Sequence, residues 1–174
     1  VEATWSNGRT GMIGKSYDGT LANGVAATGV EGLETIVPIS AISSWYDYNR
    51  YQNAVKSNNY PSSLSTTIAQ RRTVPTNCVA ANAFMNANDG DETGAYTDFW
   101  AERDYREGSF YDVSKVKASV FIMHGLQDNN VRMRNASTWW QDLGEAGVDR
   151  KMWLTRLGHV DPFDSDRDRW VDTL

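Results

Sequence analysis

The chain is poor in the residues that build cross-links and metal cages. Among its 174 residues are one cysteine, Cys78, and two histidines, His124 and His159. A single cysteine excludes an internal disulfide framework and zinc clusters built on cysteine pairs, and Cys78 reads as a small buried hydrophobe. Lys and Arg form no block and the net charge is −5, which argues against nucleic acid or an anionic membrane surface as partner. No apolar run approaches the length of a membrane span, and no signal peptide is visible. These absences set the expectation of a soluble chain to which no metal and no cofactor is assigned; the compartment is not fixed by the sequence, with the cytoplasm slightly favoured over secretion. What is abundant is aromatic surface, with seven Trp and eight Tyr, which suits a substrate cleft. The length suits one domain with a sizeable core. The chain begins with Val1 rather than Met, so an upstream piece is expected to be missing.

Residues Glu2 to Trp5 read as the end of a helix and Ser6-Asn7-Gly8 as a turn. Arg9 to Gly14 then holds Met12-Ile13 between glycines, the pattern of a short interior strand. Tyr17 to Thr28 is rich in Gly and Ala, as expected of a helix lying close on a sheet, and Gly29 is its stop. Thr35 to Ile39 reads as a second buried strand, with Pro38 near its end because proline removes a ladder hydrogen bond. From Ser43 to about Asp112 polar and aromatic residues alternate irregularly. Helical stretches are expected within Ser65 to Met85, interrupted at Pro75, and within Asp91 to Arg103. No strand is expected in this part, which reads as an inserted helical cap rather than a solvent-exposed linker.

Val116 to His124 is the clearest strand, apolar on both faces as in a parallel sheet. A loop follows over Gly125 to Asn130. Val131 to Gly144 predicts an amphipathic helix with Met133, Ala136, Trp139, Trp140 and Leu143 on one side. Arg150 to Thr155 predicts a last strand, Leu157 to Asp164 a loop, and Ser165 to Leu174 a capped final helix. The order predicts an α/β fold with a parallel sheet and flanking helices, a partial α/β-hydrolase layout. Residues 1–44 would carry the first half of the core, 45–112 the helical cap, and 113–174 the second half.

Within that layout Ser16 follows the first strand at a sharp strand-to-helix elbow. Asp128 follows the third strand in HGLQD, and His159 the fourth in RLGHVDPF. Ligands of open α/β sheets bind beyond the carboxyl ends of strands, and all three residues fall at that edge, in the order Ser, Asp, His. A serine hydroxyl is a weak nucleophile until a base takes its proton, and one of only two histidines lies where that base is needed. Each residue alone has an ordinary explanation as a turn serine, a loop cap or a surface histidine; their joint placement is what points to chemistry. His124 reads as structural, and Asp161, Asp164, Asp166, Asp168 and Asp172 as loop and helix-surface charges. The elbow departs from Gly-x-Ser-x-Gly: Asp18 takes the second glycine's place and Gly19 comes one residue later. Asp18 would lie in the first helical turn and point away from the reacting oxygen.

Gly14-Lys15-Ser16-Tyr17-Asp18-Gly19, then TGVEGLE and ISSWYDYNR, and further on HGLQDNNV and RLGHVDPF, resemble the X-prolyl dipeptidyl aminopeptidases, relatives of the cocaine-esterase-like acyl hydrolases. The resemblance covers both ends of the chain well and about 51–97 poorly. It implies a catalytic triad of Ser16, Asp128 and His159, with the backbone N–H of Tyr17 as one oxyanion donor. It also implies that Trp45, Tyr48 and Val131 shape a pocket for the proline ring, and that Asn130 makes a polar contact to the dipeptide. The substrate implied is a peptide with a penultimate proline.

In that fold the second oxyanion donor comes from an earlier strand-to-helix loop, and the family also carries a C-terminal β-rich domain. The chain therefore reads as a catalytic-domain fragment. The fragment would expose a sheet edge beside its first strand, where a homo-oligomer could form, and alone it is expected to act poorly on Xaa-Pro substrates. An acyl esterase of the same fold and a non-catalytic binding or scaffold module are the alternatives. The group that would hold a substrate's free amine is not identifiable.

Overall fold

The computed structural model describes residues 3–51, 54–57, 59–74, 76–159 and 161. The expected final helix over Ser165 to Leu174 lies outside them. Elements run in the order β1 (Thr10–Lys15), α1 (Tyr17–Ala26), β2 (Leu33–Ile39), α2 (Trp45–Asn49), β3 (Arg50–Tyr51), β4 (Ala54–Val55), α3 (Tyr60–Gln70), α4 (Val79–Asn88), α5 (Asp98–Ala101), β5 (Ser119–Gly125), α6 (Met133–Glu145) and β6 (Arg150–Thr155). The main sheet has four strands in the order β1-β2-β5-β6, and every neighbouring pair is parallel. Parallel neighbours need crossovers. α1 supplies the first and α6 the last, while the long 45–112 segment and a 3₁₀ turn at Val113–Lys115 fill the middle one.

Side chains of the central strands alternate between two apolar layers. On one face Ile36, Val120 and Ile122 pack with Ala22 and Ala26 of α1 and with Ala136, Trp139 and Leu143 of α6. On the other face Val37, Ile39, Phe121 and Met123 form a smaller cluster beside Trp153. Burial on both faces explains why β5 reads as a continuous apolar run. Pro38 has Gly14 as its β1 partner. The β2–β5 register pairs Thr35 with Ser119, Ile36 with Val120 and Ile39 with Met123, and skips Val37 and Pro38.

The sequence expectations differ from the structure at several places. Among the described residues β1 lies at the edge of the sheet, and Ile13 is 53% exposed. Residues 3–6 form a turn closed by the Ser6 N–H on the Ala3 carbonyl, not a helix end. α1 ends at Ala26, two residues early, and Gly29 closes the turn beyond it at a φ of 71°. Val131 lies before α6, because Arg132 keeps an extended backbone (φ −62°, ψ 148°) and the helix opens only at Met133.

In the 45–112 segment, helices α3 and α4 bracket Pro75, and α3 starts at Tyr60 because Pro61 suits a first helical turn. The helix expected within Asp91 to Arg103 shrinks to α5, since Gly90 and Gly94 take positive φ values. A short antiparallel ribbon of β3 and β4 stands where no strand was expected. Cys78 is half-buried at the start of α4 rather than in the core.

Charged pairs and four buried aromatics, Tyr48, Phe99, Trp100 and Tyr105, tie this segment down, and Tyr105 joins the main apolar layer. Arg50 is 2% exposed. Its guanidinium donates to the Asp89 carbonyl at 2.8 Å and pairs with Asp91 at 2.7 Å. Arg106 pairs with Asp104 at 2.7 Å and with Asp47 at 3.5 Å, and Arg134 of α6 reaches the same Asp47 at 3.0 Å. The Tyr105 hydroxyl, pushed up to about 12 by burial, stays protonated and accepts from the Trp45 indole at 3.1 Å.

Candidate active site

Three loops at the carboxyl edge of the sheet build the site. Ser16 is the turn between β1 and α1, with φ 56° and ψ −117°. A non-glycine residue at positive φ stores strain, and here the surroundings hold it. The Ser16 N–H donates to the Ile39 carbonyl at 2.8 Å, and the Ser16 carbonyl accepts from the Thr20 N–H at 2.9 Å and the Thr20 hydroxyl at 2.8 Å. Gly19 explains the shifted glycine of the motif. A Cβ there would meet the Ile39 nitrogen at 3.1 Å and collide harder with the Gly14 carbonyl, so α1 could not lie so close to the strand ends. Asp18 is in the first turn and exposed.

Asp128 and His159 arrive on the loops after β5 and β6. These loops touch where Gly125 leaves no room for a side chain against the carbonyls of Leu157 and Gly158. The Gln127 N–H donates to the Leu157 carbonyl at 3.0 Å and fixes them together. The His159 Nδ1–H donates to Asp128 Oδ2 at 2.7 Å, and the Ser16 hydroxyl donates to His159 Nε2 at 2.9 Å. A carboxylate can only accept, so it selects the tautomer with the proton on Nδ1 and leaves Nε2 free to take the serine's proton.

Asp128 is 6% exposed. Burial works to raise its pKa. The hydrogen bond and charge of His159 and the N–H groups of Val131 and Asn130, both at 2.9 Å from Oδ1, outweigh that and hold it below the usual 3.8.

His124, near the end of β5, reaches this loop through its side chain. Its Nε2–H donates to the Val131 carbonyl at 2.8 Å, and Nε2 lies 3.8 Å from Asp128 Oδ2. Burial lowers its pKa, against the pull of that carbonyl and of Asp128, and keeps the ring neutral. It thus braces the Asp128–Val131 turn.

A cavity of about 650 Å³ opens from Ser16 between the sheet edge and the 45–112 segment. Tyr17, Trp45, Tyr48, Asn130 and Val131 all line it. Tyr17 is the first residue of α1, so its N–H has no partner within the helix and is free for a ligand. Trp45 meets Tyr17 and Tyr48 edge-on, with ring centres 6.1 and 6.0 Å apart. Val131 is 1% exposed and packs with Ile42 and Tyr48. Burial, then Tyr60 and Asp128, push the Tyr48 hydroxyl well above the usual phenol value.

The loop that delivers Trp45 is pinned from both helices. Asn23 and Thr20 of α1 bond the Ile42 backbone at 3.0 Å each, and Asn135 of α6 accepts from the Ser43 and Ser44 N–H groups at 3.1 and 3.2 Å. Sequence reasoning missed these polar anchors and the apolar far wall of Leu64, Ile68, Met85 and Phe99. The wall residues do sit at apolar positions of helix-forming stretches, but nothing in their spacing separates a pocket wall from a core.

A parallel sheet with flanking helices and a serine elbow at its carboxyl edge defines an α/β-hydrolase fold. Solved structures agree: an acylaminoacyl peptidase of Pyrococcus horikoshii superimposes with a TM-score of 0.60 over 94% of this chain and 22% of its own, at 14% identity. A dipeptidyl peptidase 4 of Porphyromonas gingivalis does so at 0.59 over 95% of this chain and 19% of its own, at 15% identity.

Residues 1–161 match the model of the X-Pro dipeptidyl-peptidase (S15) family, and the chain belongs to that family. A Streptomyces avermitilis protein named "Putative Xaa-Pro dipeptidyl-peptidase" is 54% identical over 174 residues, covering 100% of this chain and 25% of that protein. The Xaa-Pro dipeptidyl-peptidase of Lacticaseibacillus rhamnosus is 37% identical over 172 residues, covering 92% and 21%. The chain thus spans about a quarter of the length of the curated relatives it matches.

Proposed function

We propose that this chain carries the nucleophile, base and acid of a serine peptidase that releases Xaa-Pro dipeptides, with 1–44 and 113–174 as the hydrolase core and 45–112 as the cap over its pocket. The observation that carries this reading is the unbroken relay from Ser16 through His159 to Asp128, at 2.9 and 2.7 Å. In the reaction His159 Nε2 takes the proton of Ser16 as Oγ bonds the carbonyl carbon of the proline. Asp128 holds the ring and balances its new positive charge. The oxyanion faces the Tyr17 N–H at the start of α1, where the helix field favours negative charge. His159 then protonates the departing amine, the C–N bond breaks, and water repeats the steps on the acyl-enzyme. Trp45, Tyr48 and Val131 offer the flat apolar walls a proline ring needs, and Asn130 a polar group for the peptide ahead of it.

An acyl esterase is the second reading, and one feature favours it. Among the described residues the cavity walls carry no carboxylate, but they do include Arg72 and Arg103, so the walls offer no anion for a substrate's free amine. Turnover of Xaa-Pro chromogenic amides with free and blocked N-termini, beside simple esters, separates the two. Loss of amide turnover on blocking supports the exopeptidase; indifference to blocking overturns it. Labelling of Ser16 by a fluorophosphonate in the full-length protein, lost in Ser16→Ala, tests the nucleophile itself. No labelling would return the chain to a binding or scaffold role.

A further inference from the structure

Behind the pocket wall lies a cation that the reaction above does not use. Lys56 follows β4, and its N–H donates to the Asn49 carbonyl at 2.9 Å, which anchors its backbone to the end of α2. Its ammonium sits 3.9 Å from the ring centre of Tyr48 and 4.6 Å from that of Tyr60, and 3.2 Å from Asn130 Oδ1. A cation on the faces of two tyrosines is held by their ring quadrupoles. The same rings meet through their hydroxyls at 3.0 Å, and the Tyr48 hydroxyl donates to Asn130 Oδ1 at 3.3 Å.

Among the described residues, the Asn130 side-chain oxygen accepts from the Lys56 ammonium, which can only donate, and from the Tyr48 hydroxyl, which donates here. An ammonium has no acceptor capacity, so an amide beside it must turn its oxygen that way. The amide's NH₂ end is left for the cavity that Asn130 lines. Asn130 is otherwise free to rotate only at its side chain, since its backbone N–H is bound to Asp128. We propose that Lys56 is a positioning residue that sets the Asn130 amide so that it presents N–H donors, and not its carbonyl, to a carbonyl oxygen of the bound acyl group. Without the ammonium the Tyr48 hydroxyl alone fixes the amide, and Tyr48 can turn its proton to Tyr60 instead. The flipped amide would then set oxygen against oxygen in the pocket.

The inference rests on the peptidase reading for its ligand, the carbonyl of the residue ahead of the proline. Its test is a cycle in the full-length protein with Lys56→Met, Lys56→Arg, Asn130→Ala and the double variant Lys56→Met/Asn130→Ala, assayed on an Xaa-Pro chromogenic amide. Lys56→Met should raise KM about fivefold to tenfold, the worth of one hydrogen bond to a neutral group, while kcat falls less than twofold. Lys56→Arg, which keeps the charge and the donors, should restore most of the loss. In the Asn130→Ala background Lys56→Met should cost nothing further, because its effect travels through that amide. Additive losses, or no rise in KM for Lys56→Met, overturn the inference. If the wild type hydrolyses no Xaa-Pro amide, the peptidase reading falls separately. The orientation is then decided by the hydrogen-bond partners of Asn130 in crystal structures of the wild type and Lys56→Met, and an amide unchanged between them overturns it.

Discussion

The sheet half and the 45–112 segment are held together by different physics. In the sheet half, six of the seven β5 residues are buried and α6 buries Ala136, Trp139 and Leu143 against them. In the segment, α4 buries no residue and α3 buries only Ser62, and the buried apolar side chains among the described residues are four aromatics, Tyr48, Phe99, Trp100 and Tyr105. Its fixed points are Arg50 on Asp91, Arg106 on Asp104 and Asp47, and aromatic edges such as Phe99 on Trp100 with ring centres 4.9 Å apart. Apolar burial is non-directional and cumulative, so the sheet half should unfold as one unit. Charged pins are few and each is directional, so the segment should open locally when one of them is removed.

The largest test of that contrast is Trp139→Ala. Trp139 is 1% exposed in the main apolar layer, and truncating such a side chain costs about 3–5 kcal/mol. A single cooperative transition should move as a whole in urea unfolding, with all amides of β1, β2, β5 and β6 losing protection together. Loss confined to α6 would break the picture of one unit.

Arg50→Met should cost less overall and in one place. It leaves Asp91 and the Asp89 carbonyl without their cation, a loss of about 3 kcal/mol for a buried pair, towards the lower end because Asp91 is partly solvated. Hydrogen exchange should quicken in α4 and over 89–97 while β5 stays protected, and protease should cut between α3 and α5. Equal deprotection of β5 would show that the segment is part of the same cooperative unit.

The contrast also sets how much could be read from residues alone. β5 is legible because both faces are apolar, and the placement of Ser16, Asp128 and His159 at one sheet edge because a serine, a carboxylate and an imidazole each follow a strand. The place of β1 in the sheet is not legible, because Met12-Ile13 between glycines looks the same at a sheet edge as inside it. The β3–β4 ribbon has strands of two residues, too short to show any period. Lys56 carried no signal: its meaning comes from Tyr48, Tyr60 and Asn130, which only the fold brings to it. Pins made of single charges leave no pattern, whereas layers made of alternating side chains do.

Acid should act on the sheet half in two steps. His124 is held neutral by burial, with its pKa below the usual 6.5. The unfolded chain therefore binds a proton that the folded one refuses as pH falls through 6.5, and stability declines from there. Asp128 lies below 3.8, so its contribution is full above that value and is lost as pH falls through the lower, folded one. Urea midpoints measured against pH should fall in both windows for the wild type. In His124→Gln, which keeps a donor for the Val131 carbonyl, the upper window should flatten and the lower one remain. An unchanged upper slope would mean that another group sets it.

The smallest effect should come from the same substitution that would be worst in the sheet. Val79 opens α4, is 75% exposed, and has no acidic residue in its helical turn. Aspartate there would meet the positive end of the helix, a gain of about 0.3–1 kcal/mol at low salt, and would remove apolar surface that nothing covers among the described residues. Val120 in β5 is 1% exposed, and aspartate there would bury a charge without a partner, which such a layer does not tolerate. Val79→Asp should therefore leave the global urea midpoint within about 0.5 kcal/mol of the wild type and slow proteolysis of α4, an effect that fades as salt screens the helix end. If Val79→Asp instead lowered the global midpoint by several times that amount, α4 would be coupled to the sheet through contacts that its exposure does not suggest, and the division between a layered core and a pinned 45–112 segment would have to be redrawn at the N-terminal end of α4.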